Sequence, residues 1–248
     1  MLTMSLFHRS KQKREVKRSA QDNMSTWVGA LAHEIKNPLN AMKINLQLLQ
    51  EDIGGSLKLA SDDTDEVRVL KKVEILAGEV DRLEKILNDF LRLARLPEPD
   101  LQPGDISALL DELLDFIEPE TRQSDIELIR DFDSDLPIVY FDSGQMKQAL
   151  LNVILNANQS MSTGGQLTIK AYKTNGYISI DVVDTGEGIP LDRISRLFDL
   201  FYSTKKDGTG LGLSIACRIA NIHGGEIRVE SRENEGTTVS ILLPISND

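Results

Sequence analysis

The sequence predicts an α+β protein in two parts, a long helical hairpin followed by a two-layer α/β sandwich. Up to about residue 95, apolar residues recur at steps of three and four, the spacing of one helix face. At "LPEPDLQPGD", residues 96–105, three of the eight prolines cluster and the periodicity stops. Beyond that break helical stretches mix with period-two alternation but without regular βαβ order, which favours helices layered on one face of a sheet.

The first helix is expected over about residues 15–52, with the stripe Leu31, Ile35, Leu39, Met42, Leu46 and Leu49. Pro38 interrupts it, removing an N–H and crowding the Glu34 carbonyl at a cost of about 3 kcal/mol in a helix interior. "DIGGSLKLASDDTD", residues 52–65, is a loop by its Gly, Ser and Asp content. The second helix is expected over 66–95, with Val67, Leu70, Val73, Leu76, Val80, Leu83, Leu87 and Phe90 on one face. Two such helices cannot bury both stripes alone, so a four-helix bundle made from two chains is expected.

In the second part Asp105 is the expected N-cap of a helix to about residue 122, followed by strands "IELIRDF" and "IVYF". Asp142 and Gln145 form a capping-box-like start for a helix to about Met161. "QLTIKAYKT" and "YISIDVVDT" alternate at period two and pair through a turn at Asn175-Gly176. A helix from about Gly210 to His223 and the strands "GEIRVES" and "GTTVSILLP" complete the pattern. The expected division is an arm at 1–24, the hairpin at 25–96, a linker at 97–105 and the sandwich at 106–248.

Charge narrows the function. The net charge is −11, yet residues 1–18 carry six basic residues against Glu15 alone. An acidic body argues against nucleic acid as a partner. The basic arm reads as a solvated helix start, with weak contact to an anionic membrane face or an upstream sensor as the alternative. No apolar run is long enough to cross a bilayer, and "MLTMSLF" is too short for a secretory signal. The single cysteine, Cys217, permits no internal disulfide and reads as a buried, inert thiol. A cytoplasmic protein is expected.

Three segments carry chemistry. In "DTGEGIP", Asp184 ends a strand where its carboxylate can accept from an exocyclic amine, and Gly186 and Gly188 allow close backbone approach. In "GTGLGLSIA", Gly208, Gly210 and Gly212 lead into an apolar helix whose N-terminus suits phosphates. It has neither the Lys-Ser/Thr ending of a P-loop nor the preceding strand of a dinucleotide fingerprint. In "NVILNANQS", Asn152 and Asn156 share one helix face, and neutral oxygen ligands suit Mg²⁺.

In this order the segments resemble the histidine-kinase form of the ATP-binding fold shared with gyrase-type ATPases. "NVILNAN" resembles the N box, "DTGEGIP" the first glycine box, "LFDLFYSTK" the F box and "GTGLGL" the second glycine box. "LAHEIKNPL" is similar to the H box of the dimerising hairpin. The resemblance spans about residues 25–245. It implies a homodimeric sensor histidine kinase core that autophosphorylates His33 from Mg·ATP and passes the phosphoryl group to an aspartate on a response-regulator receiver domain. Glu34 would accept the other ring proton of His33, and Asn37 would orient a water for phosphatase action on that partner. Asp184 would bind the adenine amino group, and Asn156 would hold Mg²⁺ with Asn152 assisting. Gly186, Gly188, Gly208, Gly210 and Gly212 would shape a mobile lid, with Lys205 as a cation near the γ-phosphate and Phe198 and Phe201 as anchors.

Two positions depart from the family pattern. The F box often reads F-x-P-F but here is Phe198-Asp199-Leu200-Phe201. Gln159 stands where an acidic residue is common, which suits an enzyme that does not spend ATP on water. A gyrase-type ATPase would not need "HEIKN", nor would a serine-directed kinase of the anti-sigma type, and an ATP-binding scaffold would not need every catalytic position filled. His8 and His223 carry no catalytic reading; His223 ends a helix before Gly224-Gly225, where a histidine serves the C-terminus. The input signal is expected through another protein, the arm or a region outside this sequence.

Overall fold

The apolar steps of three and four become two long helices. A computed structural model describes residues 31–32, 34–49, 63–205 and 208–245. Two compact units divide the chain, Met1–Arg92 with Lys205–Thr209, and Leu93–Thr204 with Gly210–Asp248.

In the first unit, α1 covers the described residues of 31–49, and α2 runs Asp63–Ala94. Helix α2 begins three residues before the expected start. The expectation followed the apolar stripe, which begins only at Val67, whereas the backbone is already helical at Asp63. Lys72 Nζ donates to Leu48 O at 3.2 Å, and Arg82 pairs with Glu34 at 3.8 Å. The later α1 residue meets the earlier α2 residue, so the helices are antiparallel. Helix α1 continues through Pro38, whose ring is buried. Burial of the ring offsets part of the lost hydrogen bond. Leu39, Leu46, Leu70, Val73, Val80 and Leu87 remain 46–56% exposed, so one chain leaves much of its apolar stripe uncovered.

The second unit is built on the sheet β2–β4–β5–β7–β6. Strands β2 (Ile126–Phe132) and β4 (Gly165–Thr174) are parallel; β5 (Tyr177–Asp184), β7 (Gly236–Pro244) and β6 (Glu226–Arg232) continue antiparallel. Asn175 and Gly176 take φ of 44° and 84°, which makes the expected tight hairpin between β4 and β5. Alternate residues Leu167, Ile169, Ile178, Ile180, Val182, Val239 and Ile241 form the buried face. Helices α3 (Ile106–Gln123), α4 (Ser143–Ser160) and α6 (Gly212–Ile222) cover it with Leu110, Leu114, Leu150, Ile154, Ile215 and Ile219; α5 (Leu191–Ile194) is a single turn. The result is the expected two-layer sandwich.

Asp105 caps α3 through Ser107 N at 2.8 Å, as its position predicts. Two local features differ from expectation. Gln102–Gly104, within the proline-rich stretch, is a strand, β1, which pairs antiparallel with β3 (Val139–Phe141). Two of its three residues are poor strand formers, so only the partner reveals it. The capping box is half formed: Asp142 Oδ1 accepts Gln145 N–H at 3.0 Å, but the Gln145 side chain donates to Pro97 O at 3.2 Å. The Asp142 N–H goes instead to His223 Nε2. Among the described residues no helix is long and apolar enough to cross a membrane.

Candidate nucleotide-binding site

Helix α4 is the spine of the site. Asn152, Asn156 and Ser160 recur every four residues and share one face, spanning about 12 Å at 1.5 Å per residue. At one end, a Cβ on Gly212 would stand 3.8 Å from Cβ and Cγ of Asn152, so the amide lies against the first residue of α6. Asn152 Nδ2 is buried without a hydrogen-bond partner among the described residues, a costly state that an added acceptor would relieve. Leu211 caps α6 without a side-chain hydrogen bond, and no acidic residue occupies its first turn. Its leading N–H groups therefore retain their attraction for anions.

Asp184 stands at the other end, where β5 stops. It is only 6% exposed, and its Oδ1 accepts the Gly186 N–H at 2.9 Å. Ser160 Oγ reaches the same oxygen at 3.1 Å and the Ala157 carbonyl at 2.7 Å, so one hydroxyl proton is shared between two acceptors. The loop beyond β5 is pressed against α4: a Cβ on Gly186 would lie 2.6 Å from the Ser160 carbonyl. Gly188 has φ 65°, and a Cβ there would meet the Arg232 carbonyl.

The stretch between the F box and α6 is tied at its base. Phe201 N–H donates to Gly210 O at 3.1 Å, and Ser214 Oγ donates to Phe198 O at 3.0 Å. Phe201 and Gly210 both hold positive φ, 64° and 66°, unusual for a bulky residue such as Phe201. Arg196 stacks over Tyr202, 4.4 Å from the ring centroid. Lys205 and Gly208 belong to Lys205–Thr209, which groups with the hairpin unit, and there Gly208 N–H donates to Lys205 O at 3.3 Å. In the hairpin, His33 lies outside the described residues, Glu34 is half-buried and Asn37 is exposed on α1.

The donor set decides what could bind. Among the described residues no group of three or more His, Cys, Asp or Glu could hold a metal ion. The Asn152 amide beside a helix N-terminus, with Asn156 one turn further along the same face of α4, by contrast fits an Mg²⁺ that takes its anionic ligands from phosphates. A buried carboxylate at the far end of the same helix face fits an exocyclic amine.

Two family profiles match the chain. Residues 23–99 match the His Kinase A (phospho-acceptor) domain, and residues 141–247 match the histidine kinase-, DNA gyrase B- and HSP90-like ATPase. Together they cover most of the sequence. The chain belongs to the sensor histidine kinase family. Sporulation kinase E of Bacillus subtilis (strain 168) is 33% identical over 87% of the chain and 28% of its own length. The signal transduction histidine-protein kinase AtoS of Escherichia coli (strain K12) is 31% identical over 95% of the chain and 38% of its own length. The chain thus spans well under half of either relative. Full-length ShkA, solved in complex with AMPPNP, is 27% identical, with a TM-score of 0.62 over 89% of this chain and 46% of that one.

Beside the family's motifs, three residues carry roles that the sequence does not announce. Ser160 holds Asp184, but a serine at a helix end carries no distinguishing signal. Gln145 reaches Pro97, and His223 reaches Asp142, both through tertiary partners that local spacing does not reveal.

Proposed function

We propose that this chain is the transmitter core of a sensor histidine kinase that autophosphorylates His33 from Mg·ATP and transfers the phosphoryl group to an aspartate of a response-regulator receiver domain. The observation that carries the reading is the single face of α4, which runs from the α6 N-terminus at Gly212, whose cap makes no side-chain hydrogen bond, to the held carboxylate of Asp184. Such a face suits a nucleoside triphosphate laid along it, phosphates at Asn152 and base at Asp184. The solved AMPPNP complex of ShkA supports ATP as the nucleotide.

In this reading Asp184 accepts from the adenine amine, and Gly186 and Gly188 let the ring approach the backbone. Gly208, Gly210 and Gly212 shape the phosphate cradle, with Lys205 as its cation. Asn156 and Asn152 hold Mg²⁺, which supplies charge neutralisation at the phosphate oxygens when bound. One imidazole nitrogen of His33 attacks the γ-phosphorus, the bond from that phosphorus to the β,γ-bridging oxygen breaks, and ADP leaves with the electron pair. The proton on the other ring nitrogen passes to Glu34. Asn37 serves a phosphatase step on the receiver, orienting the water that attacks the aspartyl phosphate. Pro38 bends α1 as the hairpin changes shape between these steps.

The uncovered stripe of Leu39, Leu46, Leu70, Val73, Val80 and Leu87 supports a homodimeric four-helix bundle. We assign 1–24 to the arm, 25–96 to the hairpin, 97–105 to the linker and 106–248 to the catalytic domain. A cytoplasmic setting, where ATP is abundant, belongs to the same proposal.

Transfer is tested by incubating the labelled chain with a panel of purified receiver domains. Label leaving the chain and reaching one receiver aspartate within minutes is the expected outcome; label that reaches no receiver overturns the transfer step.

A further inference from the structure

His223 is the C-cap of α6, directly after its last residue Ile222, and is 2% exposed. Its Nε2 lies 3.0 Å from the backbone N of Asp142, and its Nδ1 lies 2.8 Å from the Ile219 carbonyl. A backbone N–H can only donate, so Nε2 is the bare nitrogen and Nδ1–H donates to Ile219 O. The neutral ring thus joins the end of α6 to the residue that starts α4. Asp142 is gripped on every polar atom at that point, since its Oδ1 caps Gln145 N–H at 3.0 Å and its Oδ2 accepts Asp100 N–H at 3.2 Å.

The two helices run antiparallel. At one end His223 meets Asp142; at the other Gly212, the first residue of α6, meets Asn152. Helix α6 has 11 residues, about 16 Å of rise, so the imidazole is far from any nucleotide yet sits on the same rigid element as the phosphate-facing N–H groups. A slide of α6 along α4 would stretch the 3.0 Å bond and shift Gly212 past Asn152 by the same amount.

We propose that His223 is a positioning residue for the nucleotide site, setting the axial register of α6 against α4 and so the spacing between the Asn152 and Asn156 amides and the α6 N-terminus. The inference rests on the ATP reading above. A misplacement of about 1 Å in such a site can cost up to about a hundredfold, and a register held by one hydrogen bond is expected to govern a smaller share.

The test measures the Mg·ATP dissociation constant by calorimetry, with KM and kcat for autophosphorylation, in the parent chain, His223→Ala, His223→Phe and His223→Gln. Phenylalanine keeps the ring volume where alanine fails to fold, and glutamine can donate and accept at once. Leu114→Ala, in the core of α3, controls for plain destabilisation. Folded His223→Ala or His223→Phe is expected to raise Kd and KM about tenfold, with kcat at saturating Mg·ATP within about threefold. His223→Gln is expected to recover most of the affinity, and Leu114→Ala to lower the melting temperature without moving Kd. Parental Kd in folded His223→Phe, or an equal loss in Leu114→Ala, overturns the inference. A parent chain that does not bind Mg·ATP overturns the functional reading and the inference with it.

Discussion

Ser160 Oγ lies 3.1 Å from Oδ1 of Asp184, the oxygen that also takes the Gly186 N–H at 2.9 Å. Two donors on one oxygen fix the plane of the carboxylate at the end of β5. Hydrogen bonds to charged groups contribute about 1.5–3 kcal/mol. Asp184→Asn is therefore expected to weaken ATP binding by about tenfold to a hundredfold, and Ser160→Ala by about threefold to tenfold. Competition with GTP checks the cause. Asp184→Asn should lose the preference for ATP, and a uniform loss for both nucleotides would contradict the adenine role.

The amides of α4 give a separable effect. Asn156→Ala is expected to lower Mg·ATP affinity by about tenfold or more while leaving metal-free nucleotide binding nearly unchanged, and Asn152→Ala to do the same more weakly. Titration of nucleotide with and without Mg²⁺ distinguishes this from general damage to α4. Equal losses in both conditions would assign the amides to packing.

Glycines at two positions should respond in opposite directions. A Cβ on Gly210 would lie 2.6 Å from Tyr202 N, and its φ of 66° disfavours any side chain by about 1–2 kcal/mol. Gly210→Ala should therefore lower both the melting temperature and the autophosphorylation rate. Gly78, inside α2, has nothing within 4 Å of where an added methyl would stand, and Gly78→Ala should raise hairpin stability by about 0.5–1 kcal/mol. Thermal melts of the two variants decide the point.

Cys217 is half-buried, and burial pushes its thiol above the ordinary value, with the Asn221 amide opposing weakly. A raised pKa leaves less thiolate near neutral pH, and thiolate is the reactive form. Alkylation by iodoacetamide near neutral pH should be slower than for a model thiol and should quicken as pH rises. Fast, pH-independent labelling would contradict the buried environment.

Much of this architecture is legible where the signal is local. Asn175-Gly176 specifies its turn because both residues tolerate positive φ, and that turn sets the pairing of Thr174 with Tyr177 and hence the register of β4 on β5. Asp105 is recognisable as a cap because the helix it serves begins at the next residue. What escapes depends on distant partners. Gln102–Gly104 becomes a strand only because Val139–Phe141 lies beside it, and Gln145 abandons its capping box because Pro97 is within reach. The site follows the same rule. The spacing of Asn152 and Asn156 and the glycines around Asp184 point to nucleotide chemistry, whereas Ser160 and His223 act through contacts 24 and 81 residues away in sequence.

The measurement that bears most directly on the central claim is incubation of the purified chain with γ-labelled ATP and Mg²⁺, beside His33→Gln and Asn156→Ala. Acid-labile, base-stable label on the parent chain and on neither variant is the predicted result, the signature of phosphohistidine formed at His33. Label that persists in His33→Gln, or none on a parent chain that binds ATP, would contradict it.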